Sequence, residues 1–260
     1  MILPVGGHRL EVEEWPASAP GRPPIVLLHE GLGCAARWRD LPARLGEATG
    51  ARVVAYSRYG YGASEVKEDR RAPSYMHDEA MVALPALRNE LGLDRPVLVG
   101  HSDGASIAVV HAGSGLWPVA GLCLLAPHVF VEDASLAGIA AARTAYLETD
   151  LPARLGRWHR DADATFWGWN DVWLSPEFRA WDIRGSLAGI TCPVLVVQGT
   201  ADPYGTVAQV EAVERGTPAP VERLVLPGAG HAPHEERPEA TVPAIVEFYR
   251  HLTARHADVE

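Results

Sequence analysis

The segment Pro96–Val97–Leu98–Val99–Gly100–His101–Ser102–Asp103–Gly104–Ala105 constrains the fold more than any other stretch of the chain. An apolar run of strand character ends at Gly100, and an Ala-rich helical pattern (Ala105, Ile107, Ala108, Val109) begins just past Gly104. Between them lies a Gly-x-Ser-x-Gly pattern. A strand that turns directly into a helix strains its central residue and brings neighbouring backbone so close that the flanking positions tolerate no β-carbon. The hydroxyl is then held above the sheet, beside the N–H groups of the helix N-terminus. A serine at a helix start is ordinarily a cap. Glycines on both sides of it, behind a buried strand, make it a nucleophile instead.

The rest of the chain supplies the sheet that this turn requires. Ile25–Leu28, Arg52–Tyr56, Gly121–Ala126 and Pro193–Gly199 are short continuous apolar runs, the pattern of strands buried on both faces. Arg223–Leu226 is a further strand, and the looser alternation of Arg9 to Trp15 predicts a first strand at the sheet edge. Helical patterns fall between them, around Trp38 to Leu45, at Met76, Ala80, Leu84, Leu87 and Leu91, and at Val242, Ile245, Val246, Tyr249 and Leu252. Pro243 is tolerable in the last only within its first turn. This alternation predicts an α/β fold with a mostly parallel central sheet and helices on both faces. The predicted organisation is a single domain, 1–260, whose core (1–128 and 186–260) carries an inserted helical cap at 129–185. The insertion has no buried-strand run but holds Trp158, Trp167, Trp169, Trp173 and Trp181, five of the chain's eight tryptophans. Such an insertion is expected over the carboxyl ends of the strands, where open α/β sheets bind ligands.

Charge narrows the class of partner. The formal net charge is −10, Lys67 is the single lysine and the arginines are scattered. Nucleic acid and anionic membrane surfaces are therefore not expected partners. No apolar run reaches membrane-spanning length and Met1 to Leu10 lacks a signal-peptide pattern. Cys34, Cys123 and Cys192 are odd in number and far apart, which fits buried packing in a reducing, cytoplasmic setting. No His/Asp/Glu cluster has metal-ligand spacing, so neither metal nor cofactor is expected.

Two later positions complete a chemical pattern. Asp202 follows the strand ending at Gln198, and His231 follows the strand ending at Leu226, so both belong to the same sheet edge as Ser102. With the glycine loop His29–Glu30–Gly31–Leu32–Gly33 after Leu28, the chain resembles the α/β-hydrolase superfamily over nearly its whole length, including the order Ser, Asp, His. The resemblance implies a cofactor-free serine hydrolase acting on a small-molecule substrate. In it an imidazole takes the serine proton, and a carboxylate fixes that imidazole's tautomer. The implied roles are Ser102 nucleophile, His231 base and Asp202 acid, with Glu132 or Asp133 after the strand Gly121–Ala126 as rival acids. The backbone N–H groups of Gly31 and Asp103 would form the oxyanion hole. His101 and His29 receive no catalytic role, and His234 is expected at the surface or behind His231.

Two departures from the family pattern stand out. Glu30 occupies a place where glycine is usual, and Asp103 follows the nucleophile where a neutral side chain is usual. A carboxylate at either place opposes an oxyanion unless turned away or hydrogen-bonded, and both bias the site against anionic substrates. Candidate substrate contacts are Glu30, Trp167, Trp169 and Trp173. The expected reaction is cleavage of a carboxylic ester of a small apolar or aromatic substrate through an acyl-enzyme. Carbon–carbon hydrolysis of ring-cleavage diketones, thioester or lactone hydrolysis, cofactor-free haloperoxidation and a non-enzymatic ligand-binding role use the same framework and stay open at this level. Nothing in the sequence specifies the oligomeric state.

Overall fold

The computed structural model describes residues 1–257. Its sheet has eight strands in the order β1-β2-β4-β3-β5-β6-β7-β8. These are β1 Ile2–Val5, β2 His8–Trp15, β3 Ile25–Leu28, β4 Val53–Tyr56, β5 Val97–His101, β6 Gly121–Leu125, β7 Val194–Gly199 and β8 Val221–Leu226. β1 pairs with β2 and β2 with β4 antiparallel; every other pairing is parallel. The parallel strands are bridged by helices, as their handedness and burial require.

Side-chain parity shows why the central runs carry no polar alternation. In β3 to β7 the even-numbered residues (Val26, Leu28, Val54, Tyr56, Leu98, Leu122, Leu124, Val194, Val196) enter one core. The odd-numbered ones (Ile25, Leu27, Val53, Ala55, Val97, Val99, Cys123, Leu125, Leu195, Val197) enter another on the opposite face. The second core is closed by α1 (Leu41–Thr49) and α11 (Pro238–Ala257), through Leu41, Leu45, Ile245 and Tyr249. The first is closed by the run α2 (Tyr75–Asp78), a π-turn at Glu79–Ala83 and α3 (Leu84–Leu91), then by α4 (Asp103–Gly113) and α9 (Val207–Gly216).

Between β6 and β7 the chain forms α5 (Asp133–Glu148), α6 (Leu151–Leu155), α7 (Ala162–Trp173) and the short α8 (Arg184–Leu187), with one isolated bridge between Phe130 and Asp182. Phe166, Trp173, Phe178 and Trp181 are buried together there. A short α10 (Pro233–Glu236) precedes α11.

Two expectations are corrected. Arg9–Trp15 is not an edge strand, because Ile2–Val5 folds back on it as a hairpin and takes the edge. Pro243 lies beyond the first turn of α11, which begins at Pro238 rather than near Val242. Pro243 sits on the helix's exposed side, where the lost backbone bond faces solvent rather than the core. Cys34, Cys123 and Cys192 are buried and unpaired with one another. No helix among the described residues is long and apolar enough to cross a membrane.

Candidate active site

Ser102 stands at the carboxyl end of β5 with φ 53° and ψ −117°, a strained pairing for a residue with a side chain. Its N–H is held by the Leu125 carbonyl at 2.9 Å, and α4 starts at the next residue. Both flanking glycines are sterically required. A β-carbon on Gly100 would overlap the backbone of Gly104 and Ala105, and one on Gly104 would overlap the carbonyl of Leu28. Helix and sheet meet here backbone to backbone, and the hydroxyl is lifted into a cavity of about 90 Å³.

His231 and Asp202 arrive from the loops after β8 and β7. Those loops are laced together: the N–H of Thr200 donates to the Leu226 carbonyl at 3.0 Å and that of Ala201 to the Ala229 carbonyl at 2.8 Å. His231 Nδ1 lies 2.8 Å from Asp202 Oδ2. The carboxylate also accepts from Gln198 Nε2 and from the Tyr204 N–H, both at 2.8 Å, and its side chain is 1% exposed. Burial works to raise its pKa, but the His231 ring and the Tyr204 N–H outweigh burial and hold it below the usual range. An ionised Asp202 accepts only, so Nδ1 of His231 carries the hydrogen and Nε2 presents a lone pair.

Ser102 and His231 line the same cavity with Glu30, Gly31, Asp103, His128, Trp169, Trp173 and Tyr204. No hydrogen bond joins the hydroxyl to the ring among the described residues, as is common for such pairs in the absence of substrate. The N–H groups of Gly31 and Asp103 likewise have no partner among the described residues. Glu132 and Asp133, the rival acids, are elsewhere. Glu132 caps α5 and accepts from Thr206 and Gln209, and Asp133 is exposed beside Arg179.

The two unusual carboxylates are both paired. Glu30 Oε2 faces His101 Nδ1 at 3.6 Å, and His101 Nε2 donates to the His231 carbonyl at 2.7 Å. Burial disfavours both charges, yet each stabilises the other: Glu30 is held far below the carboxylate range and His101 is raised. Asp103 accepts from the Tyr75 hydroxyl at 2.6 Å and lies 3.7 Å from Arg58 Nη2, both buried. Burial raises its pKa against those two partners.

Trp169 and Trp173 line the cavity, but Trp167 does not. Trp167 sits on the far side of α7, where with Arg71 and Gly168 it borders a separate cavity of about 640 Å³, and it packs on Phe166 and Tyr146. Two positions on a helix are about 200° apart, so it cannot share the face of Trp169. The larger cavity holds neither Ser102 nor His231; both line the smaller one.

Sequence reasoning missed His128 and Tyr204. The His128 ring is 5.7 Å from that of His231, and its pKa is pushed down to about 3 by burial and then by His231. The Tyr204 ring is 4.7 Å from that of His231. His128 follows β6 at the sheet edge that carries Ser102, a position that marks it before any coordinates. His234 is half-buried behind the site, its ring 4.9 Å from His101 and 5.0 Å from Trp38. No group of three or more His, Cys, Asp or Glu among the described residues is arranged to hold a metal.

Comparison with known proteins gives the family and the fold. The family described as "Alpha/beta hydrolase family" matches residues 25–244. The chain is 26% identical to epoxide hydrolase A of Mycobacterium tuberculosis over 321 residues, covering 98% of each protein. It is 30% identical over 93 residues to proline iminopeptidase of Lactobacillus delbrueckii subsp. lactis, spanning 36% of this chain and 32% of that protein. A thermophilic esterase from Thermogutta terrifontis superposes with a TM-score of 0.73 at 24% identity, covering 94% of each chain, a likeness of fold.

Proposed function

Because the chain belongs to the alpha/beta hydrolase family, we propose that it is a serine hydrolase that cleaves a carboxylic ester of a small apolar or aromatic substrate. One observation carries this reading: a strained serine opens onto the same small cavity as an imidazole whose Nδ1 is tied to an ionised, buried Asp202. His231 Nε2 removes the Ser102 proton as the hydroxyl oxygen attacks the ester carbonyl. The carbonyl oxygen becomes an oxyanion held by the N–H groups of Gly31 and Asp103. Collapse expels the alcohol, which takes the proton from His231 and leaves an acyl-enzyme. Water, deprotonated by the same ring, attacks the acyl carbon and releases the acid and Ser102.

A cavity of about 90 Å³ walled by Trp169, Trp173, Ile139 and Tyr204 favours a compact, uncharged acyl group. Among the relatives' chemistries, amide cleavage uses the same acyl-enzyme. Epoxide opening does not: attack by Ser102 on an epoxide carbon would leave an ether, which water does not cleave under these conditions. In this reading Asp202, Gly31 and Asp103 serve the reaction, and residues 129–185 act as the cap over it.

The test is a panel of aryl esters, thioesters, lactones, diketones, amides and epoxides assayed on one preparation, with Ser102→Ala as the blank. Activated ester turnover is expected in the parent and absent in the variant, with a fluorophosphonate adding one equivalent of phosphonyl label, with loss of fluoride, at Ser102 only. Ester turnover by a clean Ser102→Ala preparation would overturn the proposal.

A further inference from the structure

Two tryptophans on α7 point into the site, and their indole nitrogens are placed differently. Trp169 and Trp173 are four residues apart, so they share one helix face and both line the Ser102 cavity. The N–H of Trp173 donates to the Tyr75 hydroxyl oxygen at 3.0 Å, and that hydroxyl donates to Asp103. The nitrogen of Trp169 has no hydrogen-bond partner among the described residues. Nor is it sealed off: the indole nitrogens of Trp38 and Trp181 are buried without a partner, and that of Trp169 is not among such atoms. Its position is fixed by the neighbour it touches. A β-carbon on Gly31 would overlap first Nε1, then Cδ1 of Trp169, so the donor edge of the ring lies on the Cα of Gly31.

Gly31 supplies one of the two backbone N–H groups that face Ser102 in the reading above, on which this inference rests. We infer that the indole N–H of Trp169 is a third hydrogen-bond donor to the substrate carbonyl oxygen, one that strengthens as that oxygen becomes the oxyanion on Ser102. A neutral donor suits this position. It adds no charge to a cavity whose acidic side chains are already paired, and a ring donor on a buried helix loses little freedom when it bonds. The residue is only 6% exposed and Phe166 packs against it at 6.0 Å between ring centroids, which holds the ring in place. The side chain thereby ties the helices between β6 and β7 to the chemistry: the substrate carbonyl would be held from the sheet by two backbone groups and from above by one indole.

The test removes the N–H while keeping the ring. Trp169→Phe and the near-isosteric Trp169→benzothienylalanine, in which sulfur replaces N–H, are compared with the parent and with Ser102→Ala on an activated aryl ester. The expected loss is about 10²-fold in kcat, with KM little changed, as for removal of one oxyanion donor. An aryl trifluoromethyl ketone, which forms a tetrahedral adduct on Ser102, should lose affinity by the same factor as kcat/KM. Packing alone does not predict that match, because the benzothienyl ring fills the same space. Parental kcat in the benzothienylalanine variant would overturn the inference, as would a loss confined to KM. Either result with an inactive Ser102→Ala leaves the serine mechanism standing, whereas an active Ser102→Ala removes both.

Discussion

Lowering the pH from 7 to 5 should remove a large part of this protein's folding stability, and buried neutral histidines are the reason. His111 shows it most directly. Its Nδ1 donates to the Ala80 carbonyl and its Nε2 accepts from Arg88 Nη1, both at 2.7 Å. A second proton on Nε2 would face the Arg88 donor, and burial together with Arg88 pushes the pKa down to about 4. His128 is pushed down to about 3 by burial and by His231. Both rings are essentially inaccessible, at 0% and 2% exposure. In the unfolded chain each titrates near the ordinary 6.5, so unfolding takes up protons below that pH and stability falls as pH falls. The loss develops from about pH 6.5 downward and levels off below the folded values. At pH 5 it amounts to about 2 kcal/mol per ring, roughly 4 kcal/mol for the pair, out of a typical total of about 5–15 kcal/mol. His29, His159 and His234 are shifted the same way and add to the loss, while Asp103 and Glu79, raised by burial, act in the opposite sense as pH falls through their folded values. His101, raised by Glu30, has the opposite sign: its contribution is complete below 6.5 and is lost as pH rises through its folded value. The lowered carboxylates lose their contributions only as pH falls below the ordinary carboxylate range near 4, outside this window. Urea unfolding followed by tryptophan fluorescence between pH 6.5 and 5 should therefore show a mean slope of about 2 kcal/mol per pH unit from this pair, with unchanged m. His111→Gln keeps an acceptor for Arg88 and a donor for Ala80 but cannot titrate, and should reduce that slope by about one proton. A parental slope below one proton, about 1.4 kcal/mol per pH unit, would refute the reasoning.

Two substitutions probe the site and its support. Asp202→Asn should leave the fold intact and lower kcat for an activated ester by roughly 10⁴-fold, because the amide allows the wrong His231 tautomer; steady-state kinetics at pH 7 to 8 decides it. Gly104→Ala forces a methyl into the Leu28 carbonyl, so α4 must lift from β3 and Ser102 with it. Its midpoint in a thermal melt should drop by several degrees for each kcal/mol lost, with ester turnover falling in parallel, whereas an unchanged melt would contradict the backbone contact.

The legible part of this protein was the part written in local pattern. Buried strands read as continuous apolar runs because both faces are covered, and the turn at Ser102 reads as glycine-x-serine-x-glycine because backbone meets backbone there. Ser102, Asp202 and His231, which the fold brings together, stood out because each follows a recognisable strand. What was hidden depended on faces and distances. The hairpin strand Ile2–Val5 is short and half exposed, and only the Gly6–Gly7 pair before His8 marks it. Trp167 could not be separated from Trp169 without knowing which side of α7 faces the sheet, although their spacing already forbade a common face. Arg58 follows β4 in a segment with no apolar pattern, yet it is 2% exposed and stacks on Tyr61 at 4.5 Å. Only the tertiary fold brings Asp103 to it.

That arginine explains how acidic residues can flank an oxyanion site. In the proposed reaction Asp103 and Glu30 are each one residue from, or part of, the backbone whose N–H groups would hold the oxyanion, so a bare carboxylate at either place would oppose the forming charge. Each instead has a buried basic group on it: the Arg58 guanidinium for Asp103, and for Glu30 the His101 ring, whose pKa Glu30 raises. Arg58 Nη2 also donates to the Glu30 carbonyl at 2.8 Å, which fixes the peptide leading into Gly31. His29 stays neutral under burial and beside Arg58, and its Nε2 accepts from the Arg58 N–H at 3.1 Å. The loop after β3 and the turn after β5 are thus held by one set of buried charges that cancels locally. In the proposed reaction a neutral acyl group avoids direct repulsion from these carboxylates. An anionic one meets two carboxylates on the cavity wall, because their basic partners lie behind them.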